Sequence, residues 1–181
     1  CPPMPIDPVL SAFERLLDTR PACAIVQAPS QCLDAAGLDV LARRAAGVLM
    51  QGSCGPGRLI GLDAPSGPTL LAAYVALRRC GCAPLLLDHS APVDDKRRAA
   101  AALGASGSLR ACCVWGEQSG SFSFEATTDL VAAREMSRDI GAVKLTSGSS
   151  GTPRGVVATA VALAADEDQL WRSMQLHHED K

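Results

Sequence analysis

Aromatic side chains are scarce: three Phe, two Trp and one Tyr make up 3% of 181 residues. Few platforms exist for stacking bases, and a formal net charge of −2 with acids and bases interspersed supplies no field for nucleic acid or an anionic membrane. No nucleic-acid partner is expected. Long apolar runs are also missing, because Arg, Asp, Gly or Pro interrupts every hydrophobic segment, so no membrane span is predicted. The chain opens Cys-Pro-Pro-Met-Pro-Ile-Asp-Pro, without a basic stretch leading into an apolar one, and a cytoplasmic location is expected. The first residue is not Met, which suggests processing or an internal boundary, with a lipid-modified Cys1 as the less favoured reading. The eight cysteines, at 1, 23, 32, 54, 80, 82, 112 and 113, lack any Cys-x-x-Cys and any paired His spacing. Reduced, metal-free thiols are expected, Cys80 and Cys82 included.

What is present suits a packed domain. With 48% hydrophobic and 20% charged residues, 1–181 reads as a single globular unit with a sizeable core. Apolar residues recur at helical spacing over 8–18, 37–50, 68–79, 92–103 and 160–174, while short apolar runs over 22–26, 58–62, 83–87, 109–115, 141–145 and 155–159 read as strands. The Ser/Gly-rich stretch 116–124 reads as a surface loop, and the following residues to Arg134 as a short helix or irregular chain. Continuous apolar strands separated by helices predict an α/β fold, a largely parallel sheet with helices on both faces. The glycines at 55, 57 and 61 precede a strand instead of following one, which argues for a tight turn and against a dinucleotide fingerprint.

The densest chemistry lies between the last two strands, in Lys144-Leu-Thr-Ser-Gly-Ser-Ser-Gly-Thr-Pro-Arg-Gly-Val-Val157. Thr146, Ser147, Ser149, Ser150 and Thr152 offer hydroxyl donors. Glycines at 148, 151 and 155 let backbone N–H groups turn toward an anion, and Arg154 adds a planar cation suited to phosphate oxygens. The Walker A spacing is absent, since Pro153 and Val156 stand where its second Gly would fall.

The run Thr146 to Val156 resembles the signature of the adenylate-forming (AMP-binding) superfamily, which contains acyl-CoA synthetases, peptide-synthetase adenylation domains and luciferases. It departs in one place, with Arg154 where that family usually has Lys. A less specific similarity runs from about residue 8 to 181 and corresponds to the family's N-terminal portion. The resemblance implies that Thr146, Ser147, Gly148, Ser149, Ser150, Gly151 and Thr152 wrap the β- and γ-phosphates of ATP, with Arg154 on the γ-phosphate. It also implies Mg²⁺, a small carboxylic acid activated as acyl-adenylate, and coenzyme A or a carrier-protein pantetheine as acceptor.

The family's adenine-binding aromatic segment, acidic Mg²⁺ ligand, ribose-binding Asp and C-terminal catalytic Lys have no counterpart in this sequence. The catalytic residues are therefore unassigned, and the 181 residues are expected to be an inactive N-terminal fragment of an ATP-dependent, AMP-forming acid–thiol ligase. The alternatives are a peptide-synthetase adenylation domain and a non-catalytic nucleotide-binding or interaction domain. Asp166, Glu167 and Asp168 read as a solvated acidic face rather than metal ligands. Asp88 and His89, at a strand end, read as a helix cap and a surface imidazole rather than an acid–base pair.

Overall fold

A computed structural model describes residues 7–28, 31–113, 120–127, 135–146 and 153–173. Five helices, α1 (Pro8–Thr19), α2 (Ala35–Gln51), α3 (Pro68–Arg79), α4 (Val93–Ala102) and α5 (Ala160–Ser173), accompany eight strands. These are β1 (Ala24–Ala28), β2 (Gln31–Asp34), β3 (Leu59–Asp63), β4 (Ala83–Leu86), β5 (Gly107–Cys113), β6 (Gly120–Ala126), β7 (Ile140–Thr146) and β8 (Arg154–Thr159).

The main sheet has the order β6-β5-β3-β4-β7-β8. Its four inner strands are parallel, and β6 and β8 run antiparallel at the two edges. The four inner strands bear out the expectation of a largely parallel sheet, and the two antiparallel margins make it mixed rather than purely parallel. The stretch expected to be a polar loop supplies one of those margins, because β6 begins at Gly120. Its Phe122 and Phe124 alternate with Ser121, Ser123 and Glu125, and the two rings pack against the core. Gly107 on β5 makes room for this, since a Cβ there would collide with the Phe124 ring. A separate antiparallel hairpin forms from β1, which falls on the strand expected over 22–26, and β2, for which apolar spacing gives no signal. The stretch 128–134 and the C-terminal part of the strand expected to reach Trp115 lie outside the described residues.

Helices cover both faces. Leu49 of α2 and Ala73, Ala76 and Leu77 of α3 pack on Ile60, Leu62 and Leu109 on one side. Ala100 of α4 packs with Leu59, Leu85 and Val143 on the other. The hairpin and α1 sit outside α2 and α3, where Leu10, Phe13, Ile25 and Leu33 cover Leu38, Leu41 and Val75.

Buried Arg78 ties these layers together. Its Nε donates to Asp7 Oδ2 at 2.6 Å, its Nη1 to the carbonyls of Cys82 (3.1 Å) and Ile140, and its Nη2 to Arg138 O at 2.9 Å. One side chain therefore joins the end of α3, the approach to β4, the start of β7 and the start of α1. Asp7 also caps α1, its Oδ1 accepting from the N–H groups of Val9 and Leu10 at 3.0 and 3.1 Å.

Candidate functional site

Because β3, β4, β5 and β7 are parallel, their carboxyl ends fall on one edge of the sheet, where α/β proteins bind ligands. That edge carries Asp63, the segment Asp88-His89-Ser90 and Thr146. The strand β7 is buried from Ile140 to Val143 and then projects from the core, with Lys144 and Thr146 exposed. It pairs with β8 so that Thr146 stands opposite Arg154 and Lys144 opposite Val156. Directly opposed residues of an antiparallel pair share a face, so Lys144, Thr146 and Arg154 lie together on one side of the hairpin. Thr146 Oγ1 is 3.4 Å from the Arg154 carbonyl, which it can reach as a donor. The structure thus brings together the two ends of the expected phosphate loop. Ser147, Gly148, Ser149, Ser150, Gly151 and Thr152 lie outside the described residues. Lys144 is a second cation that sequence reasoning left without a role, and only strand register reveals its face.

A second polar centre lies where the end of β3 meets the middle of β5. The Asp63 carboxylate is buried, with 4% of its side chain exposed, and every contact it makes is long-range. Oδ1 meets His89 Nδ1 at 2.8 Å, while Oδ2 meets Lys96 Nζ at 2.9 Å and Arg110 Nε at 3.2 Å. Lys96 also donates to His89 O at 3.2 Å. Burial alone would raise the Asp63 carboxyl, but the hydrogen bonds and charges of Lys96 and His89 outweigh it and hold the group below its usual value. His89 is therefore more than a surface imidazole, and its partner is Asp63 rather than Asp88. Asp88 instead accepts from Ser90 N at 2.9 Å and Ser90 Oγ at 2.7 Å, which hold its carboxyl below the usual range.

The remaining candidates resolve simply. Cys80, Gly81 and Cys82 terminate α3. Gly81 takes φ +71°, its N–H donates to Arg78 O, and the N–H of Cys82 donates to Leu77 O, the paired bonds of a Schellman ending. Burial pushes the Cys82 thiol up to about 12 and, with Cys80 nearby, that of Cys54 to about 11. The described cysteines 23, 32, 54, 80, 82 and 112 are free thiols. Asp166, Glu167 and Asp168 are exposed on α5, as a solvated face requires. Among the described residues, no three His, Cys, Asp or Glu side chains gather closely enough to hold a metal ion, and no helix is long and apolar enough to cross a membrane.

No protein-family model matches the sequence. No curated protein matches it either. Solved structures do share its fold. The o-succinylbenzoate CoA synthetase MenE of Bacillus subtilis, in complex with the acyl-adenylate intermediate OSB-AMP, aligns with a TM-score of 0.70 at 16% identity, over 92% of this chain and 46% of its own. The N-terminal subdomain of Klebsiella oxytoca NpsA, in complex with 3-hydroxybenzoyl-AMSN, gives 0.63 at 18% identity, over 84% and 41%. The nonribosomal peptide synthetase FmoA3 gives 0.70 at 22% identity, over 96% and 19%. The chain therefore spans less than half the length of each of these proteins. Its α/β architecture is that of the N-terminal portion of adenylate-forming enzymes.

Proposed function

We propose that this chain is the N-terminal portion of an ATP-dependent acid–thiol ligase of the acyl-CoA-synthetase kind, working in the cytoplasm, in which 146–154 holds the β- and γ-phosphates. The observation that carries this reading is the position of that segment. It connects β7 to β8 at the carboxyl edge of the parallel strands, with Thr146 opposite Arg154 at its base. Attack of a carboxylate on the α-phosphorus of ATP expels pyrophosphate, and fixed donors on the departing phosphates lower the barrier by stabilising the charge that accumulates there. Arg154 and the Thr146 hydroxyl suit those oxygens. Mg²⁺ would arrive on the phosphates of ATP and add charge neutralisation.

The acid, the thiol acceptor and the remaining catalytic groups belong, in this reading, to parts of an enzyme beyond these residues. The peptide-synthetase alternative has one observation in its favour, the similarity to FmoA3 over 96% of this chain. It would exchange coenzyme A for a carrier-bound pantetheine. A non-catalytic nucleotide-binding domain would keep phosphate binding without adenylation.

The test is pyrophosphate and ATP binding by the chain, with Arg154→Ala and Arg154→Lys compared. Loss of one charge-assisted contact corresponds to about 1.5–3 kcal/mol, so the alanine variant should bind roughly one to two decades more weakly and the lysine variant should recover most of the loss. Equal binding by all three proteins would remove 146–154 from the phosphate site.

A further inference from the structure

The open side of the sheet beneath α4 holds a cavity of about 450 Å³, a volume within the usual span for small-ligand sites. Asp63, Lys96 and Arg110 line its floor, Arg97 and Glu125 its rim, and Ser108, Ser123 and Thr127 supply hydroxyls. It lies on the α4 face of the sheet, whereas register places Lys144, Thr146 and Arg154 on the opposite face, the one carrying α2 and α3.

Its charges do not cancel. One carboxylate, Asp63, serves two basic side chains: Lys96, which is 10% exposed, and Arg110, which is 43% exposed. At the rim, Arg97 and Glu125 neutralise each other at 2.6 Å. One positive charge is left over, and it sits where Asp63, the last residue of β3, pairs with Arg110 in the middle of the parallel strand β5. Arg110 uses its Nε on Asp63, which leaves the two-pronged end of the guanidinium for a planar or tetrahedral oxyanion. Lys96 cannot swing away, since Asp63 and the His89 carbonyl both hold its ammonium. The floor is also kept low: a Cβ at Gly61 would meet Ser108 Oγ at 2.6 Å and Leu87 Cδ1 at 2.9 Å.

We propose that this cavity is a second anion site, in which Arg110, backed by Lys96, holds the single phosphate or carboxylate group of a small, hydroxyl-bearing ligand. Ser108, Ser123 and Thr127 can hydrogen-bond the ligand's hydroxyls, and Leu87, Val93 and Ala100 supply apolar wall for its carbon skeleton. Two carboxylates within the same walls disfavour a polyphosphate, so this is a site for something other than ATP.

The experiment is an amide-resolved NMR titration of the 181-residue chain with inorganic phosphate and, separately, with acetate, at constant ionic strength held by chloride. Saturable shifts at Ser108, Arg110, Ser123 and Thr127 are expected in at least one arm. A response to phosphate alone assigns phosphate ligands, and one to acetate alone assigns carboxylates. Arg110→Gln should weaken the response at least about tenfold, and Arg110→Lys should retain part of it. Arg154→Ala should leave it intact. Shifts that never saturate, that persist unchanged in Arg110→Gln, or that disappear only in Arg154→Ala would overturn the proposal. The last outcome would assign phosphate binding to 146–154 and leave the proposed function standing.

Discussion

Replacing Asp7 separates two contributions made by one carboxylate. Its Oδ1 caps α1 and its Oδ2 neutralises Arg78, whose side chain is only 3% exposed. Asparagine preserves the cap and removes the charge, whereas alanine removes both. A lost cap costs about 1 kcal/mol, and stranding a buried cation costs about 3 kcal/mol or more. Asp7→Ala should therefore lower the urea-unfolding free energy more than Asp7→Asn, and both should exceed the loss from a cap alone. Asp63 makes a pH-dependent contribution. Its folded carboxyl lies below the unfolded value of about 3.9, so its contribution is complete above that pH and is lost as pH falls through the lower folded value. Urea midpoints measured between pH 6 and pH 2.5 should show Asp63→Asn less stable than the parent at the upper end, and the gap narrowing below about pH 4.

At the scale of elements, three helices end alike. The N–H groups of Cys54, Cys82 and Ala105 donate back to Leu49 O, Leu77 O and Ala100 O, and the residue before each donor has positive φ. At the ends of α3 and α4 that residue is Gly81 or Gly104, but at the end of α2 it is Ser53, with φ 55°. A side chain in this conformation costs about 1–2 kcal/mol, while glycine loses about 0.4–1 kcal/mol by loosening the unfolded chain. The difference favours glycine, so Ser53→Gly should stabilise the domain by about 0.5 kcal/mol, read as a rise in the urea midpoint at constant slope. The same punctuation makes these helices legible in the sequence. The edge strand β6 was not, since Ser and Gly dilute its alternation and only the packing of Phe124 over Gly107 reveals it as a strand.

For the molecule as a whole, the prediction concerns activity. The chain aligns with 46% of the MenE chain and 41% of the NpsA chain, less than half of each. The 181 residues by themselves are expected to bind phosphates without catalysing acid-dependent pyrophosphate exchange. An assay with fatty, aryl and amino acids checks this, and exchange above background that depends on one acid would show that the chain is a complete catalyst.

Local chemistry determined much of this protein. Helical spacing located α1 to α5 to within a few residues. Unbroken apolar runs marked β3, β4 and β7, and the hydroxyl-glycine-arginine run at 146–154 was readable because all its residues are adjacent in the chain. Tertiary structure alone decided the rest. The antiparallel edges exist because β6 and β8 find β5 and β7 as hydrogen-bonding partners, which composition does not specify. Register alone brings Lys144 onto the face of Thr146 and Arg154. Asp63 meets His89, Lys96 and Arg110 across separations of 26 to 47 residues, and the one-charge excess in the cavity under α4 follows from that meeting. A sequence records which charges a chain carries, but which of them share a low-dielectric enclosure depends on how the strands are ordered in the sheet.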